Sequence, residues 1–448
     1  MTEDSPIHSS SSDDFAAILD GELDSASDSS GNSEGAEEEE SSAEDNDGKS
    51  EFDLDLERVK RLKLELYSGT VNPQKEEICT HPGSFGGLCM KCGLRVDDDS
   101  AIPLKYIDKN LRIANDEMAR LRDKDFKDLL CHRKKLYLVL DLDHTLLNSA
   151  RLTDIIEDET YLINQEILCQ SFILDTLKTS LFRLDGMHMM TKLRPFVHTF
   201  LEEASKLFEM YIYTMGESPY ALEMADLLDP GNKYFHSRII AQGDCTQKYK
   251  KGLDIVLGRE SAVLILDDTQ VVWKENKENL ILMDRYHFFA SSCKNFGFSH
   301  KSLSLLKTDE SETEGALATV LKVLRQVHSL FFDKGCKVNI EDRDVRQVLK
   351  AIRKEVLKDC KIVFTHVIPT NFTAEQHHLW RMAEQLGATC STEVDPSVTH
   401  VVSGDAGTDK SRWAARENKF LVNPGWIEAS NFLWRKQSEE KFSVKTKQ

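Results

Sequence analysis

Lys135-Leu-Tyr-Leu-Val-Leu-Asp141-Leu-Asp143-His-Thr145 is the stretch that decides how the chain is read. An apolar, strand-like run, Leu136 to Leu140, delivers two carboxylates separated by a single leucine and followed closely by a threonine. Alternation along an extended backbone puts Asp141 and Asp143 on the same side. Two acids at the carboxyl end of a buried strand are costly unless a cation lies between them. Mg²⁺ meets that need most simply, because it takes a few carboxylate oxygens together with water and phosphate. Taken alone, the segment fits equally well a strand running into an acidic turn.

Two later segments change the balance. Glu209 to Tyr213 is a second β-rich run, ending in Thr214-Met-Gly216, and Ala262 to Leu266 is a third, ending in Asp267-Asp268-Thr269. Lys251 lies shortly before the third run. In open α/β sheets, ligand sites form just beyond the carboxyl ends of the strands. An acid pair, a small hydroxyl, a lysine and a second acid pair, in this order, match phosphoryl transfer to an aspartate.

The chain of 448 residues has room for two or three domains. It carries 57 basic and 76 acidic side chains, net −19, but residues 1–50 hold 16 acids against Lys49 alone. The remainder is therefore near neutral. Residues 1–55 read as a disordered acidic tail, with a small apolar island at Phe15 to Leu19 that is too little to fold on its own. The tail is either a solubilising spacer or a dock for a basic partner, with Phe15, Ile18 and Leu19 as anchors. No apolar run approaches the ~20 residues of a bilayer span, so no membrane role is expected. The acidic start does not fit a secretory signal. Ten scattered cysteines suggest a reducing compartment, cytosolic or nuclear. Basic clusters at Arg58-Val-Lys60-Arg61 and Arg133-Lys-Lys135 serve either nuclear import or solvated helix faces. Without a basic face, no direct nucleic-acid binding is expected.

A helix is expected over Phe52–Tyr67, and residues 75–100 then hold Cys79-Thr-His81 and Cys89-Met-Lys-Cys92-Gly. These four side chains suit tetrahedral Zn²⁺, which would be structural with every position filled by protein; ordinary reduced cysteines are the alternative. Asn110 to Leu130 reads as an amphipathic helix. Residues 130–300 form the candidate phosphoryl-transfer domain, within which 151–190 is expected to supply helices and a hairpin. Lys192-Leu-Arg194-Pro195 precedes a helix over Phe196 to Phe208. Residues 310–355 read as a helical linker. From 356 to 440 strands alternate with helices: Lys361–Thr365, Val398–Val402 and Phe420–Val422 between helices near 376–386, 411–418 and 424–430. That alternation implies a small parallel sheet.

With these motifs in view, the chain resembles the RNA polymerase II C-terminal-domain phosphatases, specifically the plant members that pair the phosphatase core with one BRCT domain. The resemblance rests on Asp141-Leu-Asp143-His-Thr145, Lys192-Leu-Arg194-Pro195, Tyr211-Ile-Tyr-Thr214-Met-Gly216 and Leu266-Asp267-Asp268-Thr-x3-Trp273. Val398-Thr-His400-Val-Val and Gly425-Trp426-Ile carry it into the C-terminal module. It implies a haloacid-dehalogenase-like Rossmannoid parallel sheet with helices, followed by a small α/β BRCT domain.

By that resemblance Asp141 is the nucleophile and Asp143 the general acid and base. Thr145, Thr214 and Lys251 face the phosphoryl group, Lys250 and Lys248 being the alternatives for that lysine, with Arg194 either a further cation on substrate or a helix cap. Mg²⁺ is held by Asp141, the Asp143 carbonyl and Asp268. Asp267 either joins through water or orients Lys251. The implied substrate is phosphoserine in the heptad repeats of the polymerase tail, which places the protein in the nucleus as a transcriptional regulator. General transcription factors are further expected partners, through the acidic tail or the BRCT domain. Thr365 and Lys410 are the candidate phosphopeptide contacts there, although His366 stands where a glycine is usual. Two other readings compete: a nuclear adaptor with vestigial catalysis, and a small-metabolite phosphatase of the same superfamily.

Overall fold

The computed structural model describes residues 79–96, 100–163, 180–297, 301–369 and 373–444. The acidic tail with its apolar island and the helix expected over Phe52–Tyr67 lie outside the described residues. The described chain divides into two compact units, the second beginning at Glu310 and including only Leu282–Asp284 from earlier in the sequence.

The first unit opens with a small sheet of β1 (Gly83–Phe85), β2 (Leu88–Cys89), β3 (Ile102–Pro103) and β4 (Leu111–Ile113), in the order β2-β1-β4-β3. Its first hairpin turns through Gly86 and Gly87, whose φ values of +58° and +80° are strained for any side chain. Helix α1 (Asn115–Asp128) follows, starting later than the periodicity predicted and running on as a π-helical turn through Leu129–Arg133.

The central sheet is built from β5 (Leu136–Leu140), β9 (Phe208–Tyr213), β10 (Ile239–Ile240), β11 (Val263–Asp267) and β12 (Leu280–Leu282), ordered β10-β9-β5-β11-β12. β5, β9 and β11 are buried along their whole lengths, as predominantly apolar strands in a doubly covered parallel sheet should be. Register fixes the site: Leu140 pairs with Leu266 on one side and with Ile212 on the other. Asp141, Asp267 and Thr214 therefore emerge within a residue or two of one another at the sheet's carboxyl edge. Between the central strands, α2 (Val197–Ser205) and α3 (Ser218–Leu228) supply crossovers.

Beside this edge lies an antiparallel sheet of β6 (Leu147–Arg151), β7 (Leu181–Leu184) and β8 (Met189–Leu193), ordered β6-β8-β7. The expected helices over 151–190 are short 3-10 turns in the described part, Leu152–Asp154, Glu157–Leu162 and Asp185–Met187. β6, Leu-Asn-Ser-Ala-Arg, carries no apolar run and is a strand because its partners saturate it. Asn148 Oδ1 accepts from the Phe288 and Phe289 amides at 2.9 and 3.0 Å, leaving a buried polar side chain fully used. Two short helices, α4 (Ala290–Asn295) and α5 (Leu303–Leu306), end the unit.

The second unit contains α6 (Ala316–Phe331) and α7 (Val345–Val356), then β13 (Lys361–Thr365), α8 (His378–Gln385), β14 (Thr389–Ser391), β15 (His400–Ser403), α9 (Asp409–Arg416), β16 (Phe420–Val422) and α10 (Gly425–Phe432). Its strands are parallel, ordered β14-β13-β15-β16. β14 follows Gly387, where sequence predicts only a turn. At φ +95° a Cβ on Gly387 would stand 1.9 Å from the Lys354 carbonyl oxygen, so only glycine fits. Trp380 and Trp426 anchor the apolar core, and Trp426 Nε1 donates to the Gln437 carbonyl at 2.9 Å.

Candidate active site

Asp141 leaves β5 at the centre of a buried charge cluster. Lys251 Nζ donates to Asp141 Oδ1 at 2.6 Å and to Asp267 Oδ2 at 2.7 Å, with all three side chains almost wholly buried. Trp273 Nε1 donates to the same Asp267 oxygen at 2.8 Å, and the Thr269 amide to its other oxygen at 2.7 Å. Asp267 is thus engaged on both oxygens, one of them by Lys251. Burial and the neighbouring Asp267 carboxylate push the Asp141 carboxyl well above the ordinary range. Burial also works against the Lys251 ammonium, but Asp141 and Asp267 outweigh it and hold the group above its usual value.

Thr145 joins the nucleophile position to the second acid pair. Its Oγ1 donates to Asp141 Oδ2 at 3.0 Å and lies 3.5 Å from Asp268 Oδ1. His144, at φ +61°, turns the chain sharply enough to bring Thr145 back toward Asp141. Carboxylate oxygens of Asp141, Asp267 and Asp268 lie within 4.8 Å of one another. This hard-oxygen set suits a divalent cation of the Mg²⁺ class. It still carries an excess of negative charge after Lys251 and Arg285 are counted.

Asp143 sits beside the cluster with Tyr220 OH donating to its Oδ1 at 2.5 Å, while Thr214 Oγ1 lies 3.5 Å from Oδ2. Tyr220, on α3, is linked in turn to Ser149 Oγ at 2.9 Å. Burial and the Asp143 charge push the Tyr220 hydroxyl well up, so it stays a donor. Arg285 Nε donates to Asp268 Oδ2 at 2.5 Å and its guanidinium covers Phe296. Tyr220 and Arg285 are site residues that sequence reading missed: nothing in their local sequence signals a partner seventy-odd or seventeen positions away.

The expected phosphate contact of Arg194 is corrected. The side chain is 1% exposed, donates to the Thr145 and His144 carbonyls at 3.0 and 3.3 Å, and stacks over Tyr286. Its charge holds the loop after β5 in shape.

The other candidate groups lie elsewhere. Cys79, His81, Cys89 and Cys92 converge, with Cys79 Sγ 3.8 Å from Cys89 Sγ and Cys92 Sγ 3.5 Å from His81 Nδ1. Zn–S bonds of about 2.3 Å in a tetrahedron give sulfur–sulfur edges of about 3.8 Å. Burial opposes the Cys89 thiolate, but the Cys92 amide and the His81 side chain draw its pKa down to about 6. In the second unit Thr365 ends β13 beside Ser403, whereas the Lys410 ammonium donates to the Thr392 carbonyl at 2.5 Å. His366 adopts φ +53°, the conformation that favours glycine there.

Known proteins share this arrangement of motifs. Residues 136–307 match the model of NLI interacting factor-like phosphatases, and residues 353–431 that of the BRCA1 C Terminus (BRCT) domain. RNA polymerase II C-terminal domain phosphatase-like 4 of Arabidopsis thaliana is 53% identical over 99% of this chain and 97% of its own length. The chain belongs to this phosphatase-like family. RNA polymerase II C-terminal domain phosphatase-like 3 of the same plant is 41% identical, over 72% of this chain and 26% of its own length. The solved structure of Fcp1, described as an essential RNA polymerase II CTD phosphatase, shares the fold, with a TM-score of 0.57 at 22% identity over 73% of this chain and all of that one. The haloacid-dehalogenase-like core and C-terminal BRCT domain are therefore shared family features.

Proposed function

We propose that the chain is a Mg²⁺-dependent protein serine phosphatase that dephosphorylates the heptad-repeat C-terminal domain of RNA polymerase II in the nucleus. The observation that carries the chemistry is Lys251 bridging Asp141 and Asp267 at 2.6 and 2.7 Å beside Asp143. That geometry presents one carboxylate to phosphorus and keeps a cation beside it.

Asp141 attacks the phosphorus, forming an Asp–O–P bond as the P–O bond to serine breaks. Asp143, oriented by Tyr220, gives its proton to the departing serine oxygen. It then takes a proton from the water that attacks the aspartyl-phosphate, releasing inorganic phosphate and restoring Asp141. Thr145 and Thr214 offer hydroxyls to the phosphoryl oxygens, and Lys251 offsets their charge. Asp141, the Asp143 carbonyl and Asp268 would hold Mg²⁺, which would supply further charge neutralisation for phosphoryl transfer. Asp267 keeps Lys251 in line. The Cys/His cluster takes a structural Zn²⁺ in this reading, and the BRCT domain, with Thr365 as the phosphopeptide candidate, recruits the polymerase or general transcription factors.

The test is phosphate release from heptad peptides phosphorylated on the second or fifth residue, with para-nitrophenyl phosphate alongside. Mg²⁺-dependent release from a peptide, abolished by Asp141→Asn, is the expected result. Release from sugar phosphates in preference to every peptide would replace this reading with a metabolite phosphatase.

A further inference from the structure

The segment ahead of the matched phosphatase region at 136–307 grips the loop that carries Lys251. Arg122, on α1, donates through Nη2 to the Leu253 and Asp254 carbonyls at 2.7 and 2.6 Å and through Nε to the Val256 carbonyl at 3.0 Å. Tyr106 OH donates to the remaining carbonyl of the turn, Ile255, at 3.1 Å, and its ring meets Tyr211 of β9 edge-on. Lys105 Nζ reaches the Gly243 carbonyl, at 2.9 Å, where the loop begins. Every carbonyl from 253 to 256 is thus taken by a side chain from outside the matched region.

The amides leading into this stretch, 251 to 253, are taken from the other side. Lys251 N donates to the Val272 carbonyl at 3.0 Å, Gly252 N to Tyr213 OH at 3.3 Å and Leu253 N to Asn276 Oδ1 at 3.3 Å. A loop held by both its donors and its acceptors has one conformation available, and this one delivers a buried ammonium between two carboxylates. The cost of the arrangement is visible at Arg122, whose pKa burial pulls below its ordinary value. A guanidinium is a suitable clamp because its fork of donors addresses several carbonyls at once.

We propose that Arg122 is a positioning residue for Lys251, acting with Tyr106, so that the N-terminal segment completes the active site without touching substrate. This rests on the role assigned above to Lys251. A displacement of about an ångström at a reacting group costs on the order of a hundredfold in rate.

The test uses the full chain and four variants, Arg122→Ala, Arg122→Lys, Arg120→Ala as a control from the same helix, and Lys251→Met. Turnover of a phosphopeptide is measured beside hydrogen exchange and labelling of Lys251 by an amine reagent. The Arg122→Ala protein is expected to lose roughly tenfold to a hundredfold in kcat/KM. Exchange should rise within 251–256 while 136–140 and 263–267 stay protected, and Lys251 should become reactive. Arg122→Lys should fall between, and Arg120→Ala should match the parent. Parental exchange and turnover in Arg122→Ala would overturn the proposal. So would a loss of protection spread over the whole sheet in both Arg122 variants. Full activity of Lys251→Met would instead defeat the underlying reading, while loop exchange still decides whether Arg122 holds the loop.

Discussion

Asp267 spends both oxygens inside the protein, on Lys251, Trp273 and the Thr269 amide. Burial and the neighbouring Asp268 carboxylate push the Asp267 carboxyl above its ordinary value, and Lys251 and Trp273 oppose this only in part. Asp143 is held differently, with Tyr220 donating to one oxygen and Thr214 Oγ1 within 3.5 Å of the other. Tyr220→Phe is therefore expected to lower kcat by roughly tenfold to a hundredfold, because a general acid–base contributes about 10²–10⁴-fold only when its carboxyl is positioned. Steady-state kinetics on a phosphopeptide check this, and an unchanged kcat would show that Asp143 needs no such partner. Residue types named the carboxylates, the threonines and Lys251 from sequence because each follows a recognisable strand or motif. Tyr220 and Arg285 stayed hidden because their partners are set by tertiary approach. Arg194 was ambiguous for another reason: an arginine before proline looks the same whether it meets substrate or the backbone.

The three central strands were legible because each is a predominantly apolar run, the mark of a parallel strand covered on both faces. β6 was not, since its polarity is satisfied only by distant groups such as the Phe288 and Phe289 amides. In the BRCT domain the strand β15 contains His400, which stacks on Trp426 and Phe420 and meets Thr399 Oγ1 at 2.7 Å and Glu439 Oε1 at 3.2 Å. Burial lowers its pKa below the ordinary 6.5, with the Glu439 bond opposing only in part. The unfolded chain therefore takes up a proton that the folded domain resists. Stability is present in full above pH 6.5 and is lost as pH falls through that value toward the lowered folded pKa. His377, lowered by partial burial and by His378, adds the same sign. Urea unfolding of the full chain, followed by exchange in β13 and β15, should show a lower midpoint at mildly acid pH than at neutral pH. His400→Asn should reduce that difference, and a midpoint that rises on acidification would contradict the sign.

Across the chain as a whole, the two metal sets differ in chemistry and should be separable. Thiolates and imidazole suit Zn²⁺, whereas the buried carboxylates suit Mg²⁺. Purified protein is expected to retain zinc through dialysis and to lose it in Cys89→Ser, by elemental analysis, with added Mg²⁺ unable to replace it. Zinc retained by that variant would remove the Cys/His cluster as its site. The whole chemistry turns on Asp141 becoming phosphorylated, and trapping reads that step without an intermediary. The protein is mixed with phosphopeptide and Mg²⁺, quenched within a turnover, reduced with borohydride and analysed by mass spectrometry of the peptide spanning 136–151. An acyl phosphate at Asp141 is reduced to homoserine, so that mass change is expected at position 141 and should be absent in Asp141→Asn. Phosphate release at full rate with no modification at that position, or modification at another carboxylate, would contradict the assignment of Asp141 as nucleophile.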